Sequence, residues 1–484
     1  MISNIYRHLI IILFFTILFP YLNYAQTYIG SDKCMLCHNN VNSKLGYNIY
    51  EEHMKTGHPY KLNPVNGAEP TYPANTTPGV HSTPPNTTWN DFAYVIGGYG
   101  WKARFVKKDG RVFTSDPKAQ YNLETGGWVS YNLNTETKYD YSCFKCHTTG
   151  ASPTGSWTGN AAEIAGTFSE PGIKCEGCHG PGSDHMANPV GVKPPVTGTD
   201  LQITKCGECH QRGGTTNAIP AGGGYIQHHE QINEMRSSKH GDGKGVDLTC
   251  ASCHDAHIAL KYPKAAGNGL KAIKVNCQTC HANKQILVNG KPKSIDCVDC
   301  HMAQAGKSAV SVQTGNGLRG DVKTHIWKIN TKAVTKDSMF TPDKAKVKLD
   351  ANGYAALTLD FACLKCHTTQ DVTWASGYAK EIHKNGITGI TNKTEIPNNF
   401  NLAQNYPNPF NPSTTIKFAL PKSEHVKLSV YSINGELIAD LIDNMMPAGN
   451  HSVTFDASRL SNGVYIYTIS TNSFNSSKKM ILMK

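Results

Sequence analysis

Cys175-Glu176-Gly177-Cys178-His179-Gly180-Pro181-Gly182-Ser183-Asp184-His185 opens with a unit, Cys-x-x-Cys-His, that occurs eight times and consumes all sixteen cysteines of the 484-residue chain. The other copies are Cys34/Cys37/His38, Cys143/Cys146/His147, Cys206/Cys209/His210, Cys250/Cys253/His254, Cys277/Cys280/His281, Cys297/Cys300/His301 and Cys363/Cys366/His367. This spacing offers two thiols to the two vinyl groups of one porphyrin and sets the next histidine beneath the ring as proximal iron ligand, so the reading is eight covalently bound haem c groups. A single copy would equally suit a zinc half-site or a redox dithiol. Zinc knuckles do not need a histidine at one fixed offset every time, and neither does a disulfide framework.

The N-terminus sets the compartment. Residues 1–8 carry Arg7 and no acid, an apolar run extends from Leu9 to about Leu22, and Ala25 supplies a small residue for cleavage. Residues 1–25 therefore read as a secretory signal peptide. An uncleaved anchor is the alternative, for which the run is short against the roughly 20 residues of a full span. No later segment is apolar enough to cross a bilayer, so no transmembrane helix is expected in the mature chain. Export suits the chemistry, because c-type haem is attached outside the cytoplasm.

The formal net charge is +11, and setting aside Arg7 and the seven bases and five acids of the tail leaves +8 on the haem-bearing region. Eight haems would bring two propionates each, so this excess reads as internal compensation rather than a nucleic-acid or membrane patch. Lysine and arginine are scattered without a stripe, and no nucleic-acid partner is expected.

Composition divides the mature chain at Pro397 into an octahaem cytochrome c domain, residues 26–396, and a β-rich tail, residues 398–484. Six motifs fall between Cys143 and His301, too close together for a separate apolar core around each ring. The haems must supply much of the buried apolar surface themselves. The expected fold is a mainly α/irregular multihaem domain with a small β-hairpin region, followed by a C-terminal β-sandwich. The hairpin is read from two β-rich runs, 92–106 and 111–113, joined by Asp109-Gly110, and its expected role is to cover a haem.

Eight of the 21 histidines are proximal, and His8, His425 and His451 lie in the signal and tail. Ten remain for the other faces of the irons. His58, His185, His240, His257, His325 and His383 are the favoured distal ligands. His185 and His257 lie too near their own proximal histidines to reach round the same ring, so each is expected to serve a neighbouring haem. His53, His81, His228 and His229 complete the set, with His81 the weakest. One ligand from each of His53/His58 and His228/His229 would bring the number of groups to eight.

The string from Cys175 to His185 and the run Cys253-His254-Asp255-Ala256-His257 resemble those of multihaem cytochromes of the cytochrome c-554 type, over most of residues 30–385. The resemblance implies closely stacked, mostly bis-histidine haems serving electron transfer. The same superfamily includes oxidoreductases of small nitrogen and sulfur compounds, whose octahaem reductases commonly use an axial lysine at the catalytic haem; all eight motifs here end in histidine.

The tail opens with Asn401-Leu402-Ala403-Gln404-Asn405-Tyr406-Pro407-Asn408-Pro409-Phe410-Asn411-Pro412, and alternating runs such as 426–431 and 463–469 follow at sandwich-like spacing. Together with Asn462-Gly463-Val464-Tyr465 and the final Lys479-Met480-Ile481-Leu482-Met483-Lys484, it resembles the C-terminal sorting domain of type IX secretion substrates. A small carbohydrate- or protein-binding sandwich is the alternative. The combined expectation is a secreted or outer-membrane-surface cytochrome, or a periplasmic one if the tail is not a sorting signal. Its partners would be the type IX secretion machinery and either redox proteins or an extracellular electron acceptor. Turnover of a small nitrogen or sulfur compound at one open haem, and a haem-bearing filament subunit, are the rival readings.

Overall fold

The computed structural model describes residues 26–196, 203–211, 218–241, 248–267, 269–281, 284, 286–288, 291–292, 295–380, 382–383, 397, 399–446 and 448–483. The signal peptide read over residues 1–25 lies outside them, as do Ile396 and Asn398 at the tail boundary. The chain forms two compact units, one of residues up to 120, 129–201 and 264–268, the other of 121–128, 202–263 and 269–484. The first holds the motifs at Cys34, Cys143 and Cys175; the second holds the other five. Among the described residues no helix is long and apolar enough to cross a membrane.

In the first unit the helices are single turns or little more: Ser31–His38, Ile49–His53, Tyr141–Phe144, Cys175–His179 and Ser183–Ala187. Such lengths are far below the roughly 12–15 residues at which an isolated helix becomes marginal in water, so caps and tertiary contacts hold them. Asn48 accepts from the Glu51 amide at 3.0 Å, and Asp140 accepts from Ser142 at 3.0 Å, each satisfying an otherwise orphaned N-terminal donor.

The hairpin differs from its sequence reading. Phe92–Gly97 pairs antiparallel with Lys102–Lys107, with Val95 opposite Phe105, so the reversal falls at 98–101 inside the first β-rich run. Gly97 and Gly98 adopt φ of 75° and 83°, left-handed values that glycine takes without steric cost. Asp109-Gly110 makes only a secondary turn, leading to the isolated bridge between Val106 and Val112. Val95 and Phe105 are fully buried, and Leu62–Pro64 adds a strand on the other edge of Phe92–Gly97.

The second unit contains more sheet than the sequence suggested. Gly306–Thr314 pairs antiparallel with Gly317–Val322 and, at its start, parallel with Tyr225–Gln227. The register slips between Gly306 and Ser311, and the Asp321 carboxylate occupies that irregularity, accepting from the amides of Ser308, Ala309 and Val310 at 2.6, 2.7 and 2.9 Å. These are donors that the interrupted ladder leaves unpaired. Beneath lies a core of Ile219, Ile226, Leu318, Ile326, Leu357 and Phe361 with their neighbours.

The tail forms a three-stranded sheet, in the order Asn401–Leu402, Ser413–Leu420, Gly449–Asp456, and a four-stranded sheet, in the order Leu437–Met446, Glu424–Ser432, Gly463–Ser470, Asn475–Leu482. Residues of both sheets share one apolar cluster that includes Ile416, Phe418, Val426, Leu428, Val430, Tyr467 and Ile469. Period-two alternation puts these on the inner faces. Tyr467 is fully buried, and its hydroxyl donates to the Ala403 carbonyl at 2.8 Å while accepting from the Asn405 amide at 2.8 Å. Tyr467→Phe will orphan the Asn405 donor and the Ala403 acceptor and lower tail stability by about 1–3 kcal/mol, read as a reduced urea midpoint at unchanged slope.

Candidate haem-binding sites

The motifs sit on or beside short helical turns. Cys34, Cys37 and His38 lie in Ser31–His38; Cys206, Cys209 and His210 lie in Ile203–His210; Cys175–His179 and Cys297–His301 are themselves helices. Cysteines three apart and a histidine four beyond the first share one helix face, which is the geometry a two-point attachment with an adjacent ligand requires.

Cys146 and Cys366, read from the sequence as attachment thiols like the rest, differ from this arrangement because neither lies in a helix. Helix Tyr141–Phe144 ends before Cys146, which falls with His147 in the following turn. The His147 amide donates to the Phe144 carbonyl at 2.7 Å, a contact spanning three residues that tightens the turn instead of extending the helix. Helix Leu359–Ala362 ends before both Cys363 and Cys366. There the amides of Cys366 and His367 both donate to the Cys363 carbonyl, at 3.2 Å each, and Cys366 is exposed. The same holds for Cys280, exposed and one residue past the short 3-10 turn Cys277–Thr279. Local turns thus replace the helix face at these three motifs, and at the fifth the helix Cys250–Cys253 ends before His254, which is extended.

None of the sixteen cysteines is paired in a disulfide. Among the described residues no three or more His, Cys, Asp or Glu side chains gather as a cluster that could hold a metal ion. The donors are arranged instead as facing pairs, unlike a tetrahedral zinc site.

Five motif histidines face a second histidine. Ring centroids are 6.2 Å apart for His38 and His185, 5.7 Å for His210 and His229, 6.1 Å for His254 and His325, 6.0 Å for His281 and His240, and 5.8 Å for His301 and His383. Two imidazoles bound to opposite sides of one metal at about 2 Å each put their centroids roughly 6 Å apart. The interplanar angles run from 20° at His301/His383 to 75° at His281/His240.

Hydrogen bonding prepares several of these rings as ligands. His301 Nδ1 meets the Trp327 carbonyl at 2.6 Å, His179 Nδ1 the Val196 carbonyl at 2.8 Å, and His185 Nδ1 the Val192 carbonyl at 2.6 Å. A carbonyl only accepts, so Nδ1 carries the proton and Nε2 keeps its lone pair free for a metal. His210 Nδ1 meets the Gln231 side-chain oxygen at 3.1 Å, to the same effect. His147 Nδ1 lies 2.8 Å from the hydroxyl of Tyr139, and full burial pushes that phenol well above its ordinary pKa and keeps it neutral.

Burial, reinforced by His325 and His210, pushes His254 down to about 4, so it is a neutral, ligand-competent imidazole at neutral pH. Burial also lowers His240, with His281 and His301 adding to the effect. His240 and His325 each have a buried Nδ1 without a hydrogen-bond partner, since Glu234 Oε2 at 3.8 Å from the latter is too distant for one. An unsatisfied buried polar atom costs about 1–3 kcal/mol, and a metal bound through that nitrogen would remove the cost. These residues fit haem.

Of the six favoured distal candidates, His185, His240, His325 and His383 face motif histidines, with His185 against His38 of the first motif. His58 stacks on buried His53 at 6.3 Å with 14° between planes. The pair lies beside the third motif, where His53 Nε2 meets the Ile173 carbonyl at 3.3 Å and the Ile173 amide donates to the His58 carbonyl at 2.9 Å. Sequence reading took one ligand from this pair, and the fold brings both to that place. His257 Nδ1 is paired with Asp255 at 3.1 Å. His81 is largely exposed and ion-paired with Glu69 at 3.1 Å. His229 was not among the favoured six; its left-handed φ of 69° turns it toward His210, and nothing local distinguishes it from His228. The ring beside His367 is Trp374, with centroids 4.9 Å apart, and among the described residues no histidine ring faces it.

Motifs also lie against one another. Cys34 and Cys175 lie close enough that Cys34 draws Cys175 down to about 7 while Cys175 raises Cys34. Cys250 lowers Cys206 to about 7 in the same way, and Cys277 is raised by burial and by Cys297. Once these sulfurs are thioethers the titrations vanish, but the adjacency of the attachment points remains. In the first unit Glu176, within the third motif, accepts from the amides of Ile29, Gly30 and Gly182 at 2.7–3.1 Å, tying the approach to the first motif onto the third. Glu176→Ala will destabilise this unit by about 3 kcal/mol or more, since hydrogen bonds to charged groups contribute about 1.5–3 kcal/mol each; thermal unfolding followed by circular dichroism reads it.

Comparison with known proteins agrees with this chemistry. Residues 113–180 match the family model of cytochrome c554 and c-prime, and residues 404–483 match the secretion system C-terminal sorting domain. A multiheme cytochrome MtrA from Shewanella baltica is 26% identical over 33% of this chain and 44% of its own length. A dissimilatory sulfite reductase MccA from Wolinella succinogenes is 28% identical over 37% of this chain and 29% of its own. The chain thus spans less than half the length of these relatives. The crystal structure of an outer cell wall cytochrome, OcwA, aligns with 72% of this chain and 86% of its own at 17% identity and a TM-score of 0.45. Residues 113–180 thus resemble a stretch of cytochrome c554-type multihaem cytochromes, which implies covalently bound haem c, and residues 404–483 form a type IX sorting tail, which implies secretion to the cell surface or outer membrane.

Proposed function

We propose that the protein is an octahaem electron carrier working at or outside the outer membrane, formed from residues 26–396 after removal of residues 1–25, with residues 398–484 as a β-sandwich sorting domain. The observation that carries this reading is the set of five facing histidine pairs, which would leave those five irons without an open position. His185 serves the haem at Cys34/Cys37, His229 that at Cys206/Cys209, His325 that at Cys250/Cys253, His240 that at Cys277/Cys280 and His383 that at Cys297/Cys300. His53 and His58 serve the two remaining haems of the first unit, at Cys143/Cys146 and Cys175/Cys178. His257 and His228 are the candidates left for the haem at Cys363/Cys366.

When bound, haem supplies the one-electron redox change. The chain's own residues fix the spacing of the sites through abutting motifs, hold ring planes through carbonyl acceptors, and exclude water from His254 and His240 by burial. A redox protein or an extracellular acceptor completes the circuit, and the sorting tail engages the type IX machinery.

A second reading has a specific observation behind it. His367 abuts Trp374 rather than a histidine, and an open position there would suit reduction of a small nitrogen or sulfur compound; the similarity to a sulfite reductase points to the sulfur side.

Low-temperature electron paramagnetic resonance of the oxidised protein decides between them, alongside an intact mass heavier than the polypeptide by eight haems. Low-spin ferric signals alone support the carrier. A stoichiometric high-spin signal that shifts on adding sulfite or nitrite replaces it with the enzyme. Deleting residues 398–484 will leave haem-loaded protein in the periplasm and remove it from surface and medium fractions, as haem staining of fractionated cells will read.

A further inference from the structure

Three of the histidines in the second unit meet at one residue that no motif predicts, two at its ring and one at its backbone carbonyl. The Trp327 ring centroid lies 4.5 Å from that of His240 and 5.6 Å from that of His325. These two face His281 and His254, of the sixth and fifth motifs. The backbone carbonyl of the same residue accepts from Nδ1 of His301 at 2.6 Å, in the seventh motif. One residue therefore touches three successive haem sites.

Its position is fixed from both sides. Thr324 donates its amide to the Ala303 carbonyl at 3.1 Å, Leu357 donates to the Lys328 carbonyl at 2.8 Å, and Ile326 is fully buried in the apolar core. With Ile326 held in the core, the rings of His325 and Trp327 meet edge-on, with centroids 5.6 Å apart. Glu234 holds the His325 amide at 2.5 Å. The rings of His240 and His325 lack a hydrogen bond at Nδ1, so neither has the carbonyl acceptor that orients His301. Packing against the indole is the restraint on their planes.

We propose that Trp327 is a shared positioning residue for the haems at Cys250/Cys253, Cys277/Cys280 and Cys297/Cys300: its indole sets the imidazole planes of His325 and His240, and its carbonyl sets that of His301. This rests on the ligand assignment proposed above. The angle between axial imidazole planes determines the symmetry of a low-spin ferric iron. Near-perpendicular planes give a strongly anisotropic signal at large g, and near-parallel planes give a rhombic one. The His240/His281 planes are 75° apart and the His210/His229 planes 74°, whereas His38/His185 and His301/His383 are at 29° and 20°.

The test compares electron paramagnetic resonance spectra of the haem-loaded wild type with those of Trp327→Ala and Trp327→Phe. In Trp327→Ala the large-g intensity falls toward half, because the His240/His281 contribution disperses while His210/His229, away from the indole, serves as internal reference. The rhombic signals persist, since the substitution keeps the backbone carbonyl at position 327. Trp327→Phe, which retains an aromatic face, restores most of the large-g intensity. If alanine prevents haem maturation, Trp327→Leu keeps apolar bulk without a ring and is read in the same way. A wild type with both low-spin signals and an alanine or leucine variant indistinguishable from it overturns the role of Trp327 alone. A wild type without low-spin signals overturns the ligand assignment and the Trp327 role with it.

Discussion

A histidine that gives its Nδ1 proton to a backbone carbonyl has one ring nitrogen left, and that nitrogen has to point at something. At His179, His185 and His301 the carbonyls of Val196, Val192 and Trp327 enforce this state. Much of the fold follows from the need to place such rings in pairs about 6 Å apart with room for a planar group between. Helices of four to eight residues suffice, because a motif needs only one turn to line up two thiols and a histidine. The ordinary apolar cores border these sites: one, under the hairpin, joins Val106 to Phe144 of the second motif and packs against Cys143, and the other gathers Ile226, Ile326 and Leu357. Elsewhere the buried apolar surface is left for the cofactor to provide.

The attachment motif was legible in the sequence because it is local: two thiols and one histidine within five residues. What the motif does not specify is its backbone, so Cys146, Cys280 and Cys366 sit in turns where the other second cysteines sit in helices. His185, His240, His325 and His383 were legible as candidate ligands from context, but not their partners, since pairing is a tertiary fact. His301 and His383 are 82 residues apart and meet only because the chain returns. Between His228 and His229 the choice depended on one left-handed backbone angle, which no side-chain pattern announces. His81 fell away because Glu69 offered a partner in solvent. The hairpin was placed one turn too late because the continuous run of aromatic and β-branched residues concealed two glycines able to reverse it. Trp327 had no signal at all, since a lone tryptophan two residues after a histidine is as compatible with an ordinary core.

Buried carboxylates do in this protein what regular ladders do elsewhere. Glu176 gathers three amides of loop backbone, Asp321 three amides of an interrupted strand, Glu234 the amide of His325, and Asp360 the amide of Lys336 at 2.7 Å. A loop-rich chain leaves many donors outside helices and sheets, and each must be met if it is buried. An ionised carboxylate accepts several at once, and charge-assisted bonds are the stronger kind.

The sorting tail and the thioether motifs answer the same physical difficulty. A cofactor held only by binding stabilises its protein in proportion to the logarithm of its free concentration over Kd. Outside the cell that concentration falls toward zero, so a haem held by axial bonds alone would be lost, and with it the apolar surface that the thin core omits. Two covalent links per ring remove free concentration from the balance. The histidine pairs are then free to be set for ligand orientation and redox tuning rather than for retention, which allows planes as different as 20° and 75° within one chain.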